Sequence, residues 1–126
     1  MTWTQALAVA AGGAIGAVLR WMIASWAGRS ALAGQLPWGT LAVNVAGTAL
    51  LAWLFVASQA GRGLSEQGML LWGTGLCGAL TTFSTFAVEA LLLVRAGAYV
   101  AAGSYLALNL VLCLAIGAVI VATLKT

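Results

Sequence analysis

Three lines of polar residues run through a chain that is otherwise almost wholly apolar. Thr40, Asn44 and Thr48 recur at i, i+4 and i+8, as do Tyr105, Asn109 and Cys113; Thr82, Thr85 and Glu89 share a face beside Phe83 and Phe86. Residues three and four apart stack on one side of a helix, so each set forms a stripe. Asn amides and the hydroxyls of Ser, Thr and Tyr all donate hydrogen bonds, and an aromatic ring offers a positive edge. Neutral donors of this kind replace an anion's hydration without trapping it as a strong counter-charge would. One stripe alone commonly serves as hydrogen-bonding glue between membrane helices, and Phe83 and Phe86 alone read as core packing. Three stripes, with Arg20 and Glu89 added, exceed what adhesion needs. Together they favour a hydrated path that carries an anion.

The groups required by most enzymes are missing. Histidine is absent, which removes the usual general base and the commonest transition-metal ligand. Of the two acids, Glu66 falls in a polar loop and Glu89 within a helix, so one chain has no carboxylate pair. Cys77 and Cys113 lie in apolar runs without CxxC spacing and read as small buried hydrophobes. A pore is therefore expected rather than an enzyme.

These residues must be held by helices in lipid. The 126 residues are 63% hydrophobic and 6% charged, with a mean hydropathy of +1.09. A soluble domain of this size could not cover so much apolar surface. The net charge of +3 is spread thinly, with no block to hold nucleic acid or a cluster of lipid head groups. No basic stretch precedes the first apolar run, so that run is expected to stay as a spanning helix. A span takes about 20 apolar residues, which gives four, at about 5–27, 38–58, 68–94 and 99–124. Gly28-Arg29-Ser30 ends the first, and Gln59 to Gln67 is the longest polar break. Trp3, Trp26, Trp38, Trp72 and Tyr99 fall near the ends, where amphipathic rings favour the interface.

The third segment is longer than a span requires, and its middle reads Gly73-Thr74-Gly75-Leu76-Cys77-Gly78-Ala79-Leu80-Thr81-Thr82. Its glycines and threonines weaken the helix at mid-membrane depth. Unwound backbone is tolerated there only against protein or water, and its carbonyls can hold a cation. Close helix packing on a smooth glycine face is the other reading, and at this point both stand. On the first helix Ala8, Gly12, Gly16 and Arg20 follow at four-residue steps. Gly12 and Gly16 read as packing. Arg20, about two turns inside the span, needs a wet vestibule, a partner or a snorkelling route to the surface.

The sequence resembles the Fluc/CrcB fluoride channel family over nearly its full length. Gly12-Gly13-Ala14-Ile15-Gly16-Ala17-Val18-Leu19-Arg20 is similar to the first-helix motif and Gly39-Thr40-Leu41-Ala42-Val43-Asn44-Val45-Ala46-Gly47 to the second. Gly75-Leu76-Cys77-Gly78-Ala79-Leu80-Thr81-Thr82-Phe83-Ser84-Thr85-Phe86, followed by Glu89, is similar to the third-helix signature. Trp21 departs from a usual tyrosine and Ala79 from a usual glycine. The resemblance implies an all-α antiparallel homodimer of four-span subunits of dual topology, with two pores that passively export fluoride across a bacterial or archaeal plasma membrane. It implies a structural, untransported sodium ion at the dimer centre, held by the backbone carbonyls of Gly78 and Thr81 from both chains. It implies that Asn44, Phe83 and Phe86 line the pore with Tyr105 near them. Ser84, Thr85 and Glu89 would form a polar track, and Arg20 would draw anions into a vestibule. Four short helices are too few to enclose a pore alone, which agrees with a dimer.

The strongest rival is a small dual-topology proton-coupled multidrug exporter. Such proteins are organised around an acid in the first helix, where this chain instead has Arg20. Charge counting bears on orientation. With four spans, Arg62 and Lys125 share one side and Arg29 and Arg95 the other, with Arg20 a possible third on that side. Because Lys and Arg near span ends set topology, this near-tie predicts insertion both ways.

Overall fold

A computed structural model describes residues 1–27 and 35–124. Arg29, with its neighbours Gly28 and Ser30, and Lys125 lie outside the described residues. Four apolar helices long enough to cross a membrane follow one another: Trp3–Ala27, Trp38–Gln59, Glu66–Arg95 and Tyr99–Thr123. The protein is an all-helical, multi-pass membrane protein, and these bounds fall within two residues of those expected from hydropathy.

Local chemistry sets the ends. Helix α1 (Trp3–Ala27) starts with a reciprocal cap in which Gln5 N–H donates to Thr2 Oγ1 and Thr2 N–H to Gln5 Oε1. Helix α2 (Trp38–Gln59) ends where Gly61 turns to a φ of +68° and the Arg62 N–H returns to the Ala57 carbonyl at 3.0 Å. A side chain at Gly61 would strain that turn.

The third span is composite. Helix α3 (Glu66–Met69), capped by Ser65, widens into a π-helical run over Leu70–Cys77 and tightens into a short α4 (Gly78–Leu80). Thr81 and Thr82 are extended, and α5 (Phe83–Arg95) completes the span. Helix α6 (Tyr99–Thr123) is the fourth. The chain is thus broken at mid-span, but not among its glycines: it stays helical through Gly73, Gly75 and Gly78 and opens only at the threonines.

Gly75 serves packing instead, against Gly12 of α1. A Cβ on Gly75 would sit 2.7 Å from the Val9 carbonyl oxygen and 3.0 Å from the Gly12 Cα. A Cβ on Gly12 would collide with the Leu71 carbonyl. Backbones touch directly here, which is how small residues join membrane helices. Close packing therefore holds within the glycine-rich stretch at Gly75, and the break falls at the threonines that follow it.

The break divides the core. Leu76, Cys77 and Leu80 pack with Val43 and Leu54 of α2, while Phe86, Ala90 and Leu93 pack with Leu41 of α2 and Ala102 and Tyr105 of α6. The first half of the span leans on α1 and the second on α6, and α2 supports both. Cys77 is fully buried as expected, whereas Cys113 is only half-buried, because its face of α6 opens onto a cavity.

Candidate functional site

Two cavities flank the break. The smaller, about 290 Å³, is bordered by Arg20 and Trp21 of α1, Thr40 of α2, and Thr82 and Thr85. The larger, about 860 Å³, is bordered by Asn44 and Thr48 of α2, Thr81, Thr82, Phe83, Phe86, and Asn109 and Cys113 of α6, among mostly apolar residues. Thr82 belongs to both. The α2 stripe crosses between them, with Thr40 on the small cavity and Asn44 and Thr48 on the large one.

Side chains support the break itself. Arg20 Nε donates to the Ala79 carbonyl at 2.9 Å, so the arginine has a partner as well as a cavity. Thr82 N–H donates to Asn44 Oδ1 at 2.9 Å, and Asn44 Nδ2 donates to the Thr82 carbonyl at 3.3 Å and to Asn109 Oδ1 at 3.1 Å. The Thr82 hydroxyl caps α5, accepting from Thr85 N–H at 3.2 Å while donating to Thr85 Oγ1 at 3.1 Å. Ser84 Oγ lies 3.3 Å from that hydroxyl.

Two backbone oxygens lose their usual donors in consequence. In a continuous α-helix the Gly78 carbonyl would accept from Thr82 N–H and the Thr81 carbonyl from Thr85 N–H. Both N–H groups are taken by side-chain oxygens. Gly78 is exposed, and nothing lies within 4 Å of where its Cβ would be. Oxygens of this kind suit a hard cation, and the open surface leaves room for further ligands.

The aromatic residues separate by burial. Phe83 is 77% exposed along the large cavity, whereas Phe86 is 5% exposed and lies between Phe83 and Tyr105. The Phe83 and Phe86 rings meet edge to face with centroids 5.7 Å apart, and Phe86 and Tyr105 are tilted at 5.3 Å. Tyr105, fully buried, donates its hydroxyl to Glu89 Oε2 at 2.6 Å. This bond gives the span's acid a partner, since a charge at membrane depth requires one. Ser84 and Glu89 are not among the residues bordering the two cavities.

In the sequence, Thr82, Asn109 and Thr40 stand out only as members of stripes. Thr82 proves to be the hub of the break, and Asn109 holds Asn44 from α6 while donating to the Tyr105 carbonyl at 3.1 Å. Their three- and four-residue spacing is the signal the sequence carries. The arrangement places polar residues on both sides of the break, and carbonyl oxygens without their usual donors beside it.

The chain matches the family described as CrcB-like protein, camphor resistance, over residues 7–122. Similar proteins include the fluoride-specific ion channel FluC of Oceanobacillus iheyensis, 46% identical over 99 residues, covering 79% of this chain and 74% of that protein. FluC of Shewanella amazonensis is 47% identical over 115 residues, covering 87% of each chain. FluC 1 of Nitrobacter hamburgensis is 40% identical over 121 residues, covering 95% of this chain and 93% of the other.

Proposed function

Because the chain belongs to the CrcB-like protein family, we propose that it is a fluoride-selective channel, passing fluoride passively out across a bacterial plasma membrane. The observation that carries this reading is the crossing of the break. Thr40 borders the small cavity at Arg20, Asn44 and Thr48 border the large one at Phe83 and Phe86, and Thr82 borders both.

Fluoride would enter beside Arg20, whose charge raises the local anion concentration. It would then move along neutral donors and the positive edges of the phenylalanine rings, which replace water without a deep trap. Fluoride is small and tightly hydrated, so rejecting chloride requires a narrow path with close donors. Ser84, Thr85 and Glu89 would extend the polar track along α5, with buried Tyr105 holding Glu89 from α6.

The functional unit would be a homodimer of oppositely inserted copies. An exposed Phe83 on an open, mainly apolar cavity supports a covering partner, as does the free surface beside Gly78. Sodium fits the donor set at the break, since the Gly78 and Thr81 carbonyls are hard oxygens without their usual donors. Bound there by both copies, it would neutralise the dipoles of the interrupted span and lock the two breaks together. It would not be transported.

The proton-coupled exporter reading lacks its central group, because α1 has no acidic residue. Purified protein in liposomes separates the two classes. A channel releases fluoride at equal rates with and without a pH gradient once charge is balanced by a potassium ionophore. Release that needs the gradient would overturn the proposal.

A further inference from the structure

Asn44 does at the break what the backbone does elsewhere. Its amide presents one acceptor and one donor to the same residue, accepting from Thr82 N–H and donating to the Thr82 carbonyl. A peptide unit of a neighbouring strand would pair with Thr82 in the same way. Its second Nδ2–H goes to Asn109 Oδ1, and Asn109 is buried and fixed by its own bond to the Tyr105 carbonyl. All donors of the Asn44 side chain are therefore engaged, and an ion could take one only by displacing Thr82 or Asn109.

The Thr82 N–H cannot go unpartnered at this depth, because an orphan amide costs several kcal/mol. It has two available acceptors, the Gly78 carbonyl four residues back or the Asn44 side chain. Closing on Gly78 would continue α4 and make Thr82 helical. Pairing with Asn44 keeps Thr82 extended, with φ −153° and ψ 121°, and releases the Gly78 carbonyl. On the other side Arg20 gives a donor to the Ala79 carbonyl, which in a continuing helix would accept from Phe83 N–H.

We infer that Asn44 is a positioning residue for the break: by capturing the Thr82 N–H it holds that residue extended and keeps the Gly78 carbonyl free for a cation. The consequence for the cation rests on the sodium reading above, whereas the conformation of Thr82 does not.

The experiment compares Asn44→Leu, which removes all three side-chain bonds, with Asn44→Asp, which keeps an acceptor for the Thr82 N–H. Solid-state NMR in liposomes reads the Thr82 Cα and Cβ shifts, and a sodium titration of thermal stability reads the cation. Wild type and Asn44→Asp should give extended Thr82 shifts, and Asn44→Leu helical ones. The sodium concentration for half-maximal stabilisation should rise roughly 10–100-fold in Asn44→Leu, the usual effect of losing a residue that orients metal ligands. In Asn44→Asp it should not rise. If Asn44 were a fluoride ligand only, both variants would lose flux while keeping extended shifts and full sodium response, and that result overturns the inference. Should Asn44→Leu fail to fold, Asn44→Ala takes its place, and helical shifts or a lost sodium response in Asn44→Asp would also overturn it. A wild type without any sodium response would remove the sodium reading and leave the Thr82 shifts to judge Asn44 alone.

Discussion

Adding one methyl group to either of two neighbouring glycines should have opposite effects. A Cβ at Gly12 would collide with the Leu71 carbonyl oxygen and stand 2.9 Å from both the Leu71 carbonyl carbon and the Leu76 nitrogen. All of these are backbone atoms, so no side chain can swing aside. Ordinary carbon–oxygen contact is about 3.3–3.6 Å, so α1 and the π-helical run would have to part by roughly 1.5 Å. Overpacking of this kind costs about 1–3 kcal/mol. A Cβ at Gly13 meets nothing within 4 Å. Both changes gain the same helix propensity, about 0.5–1 kcal/mol, which cancels in their comparison. Gly12→Ala should therefore be about 1–3 kcal/mol less stable than Gly13→Ala in reversible unfolding from mixed micelles. The same displacement would stretch the 2.9 Å bond from Arg20 to Ala79, two turns along α1, beyond hydrogen-bonding distance. Fluoride flux should then fall in Gly12→Ala and persist in Gly13→Ala. Equal stability and equal flux in the two variants would refute the direct backbone contact.

Three other outcomes are expected. Phe83→Ile and Phe86→Ile should each abolish or severely reduce fluoride flux. Phe86→Ile should also lose on the order of 1 kcal/mol of stability with its ring contacts, while exposed Phe83→Ile loses less than about 0.5 kcal/mol; wild-type flux in both would return the rings to packing alone. Removing tightly bound sodium should stop conduction, while tracer measurements find no sodium moving with fluoride; full activity without sodium would reject the Gly78 and Thr81 site. Two or three lysines added at one end should force a single orientation and abolish activity, and co-expression with the opposite variant should restore it; a wild-type C-terminal reporter found on one side only would contradict dual insertion.

The four spans were legible because lipid leaves a helix no alternative to a long apolar run. The break was legible in kind but not in place. Glycine lowers helix propensity and also permits close approach, and only the facing residue decides between these. Gly75 meets Gly12, so it packs, whereas Thr82 meets an amide that outbids Gly78 for its N–H. Arg20 showed that it needed a partner, but a backbone carbonyl such as that of Ala79 has no signature in sequence. The Asn44, Asn109 and Tyr105 stripes could be read by spacing within each helix. That the first two would meet across α2 and α6 depends on helix rotation, which spacing does not fix. The half-buried face of Cys113 is hidden in the sequence for the same reason, since an apolar run says how far a residue is from water but not whether its face is covered.

Selection of fluoride by the polar residues on either side of the break is the property on which the proposed function stands. It is tested most directly by loading liposomes with equal concentrations of fluoride and chloride, adding purified protein, and following both anions with selective electrodes after an ionophore releases the charge balance. Rapid fluoride efflux with chloride held back is the predicted result. Chloride leaving as fast as fluoride would contradict it.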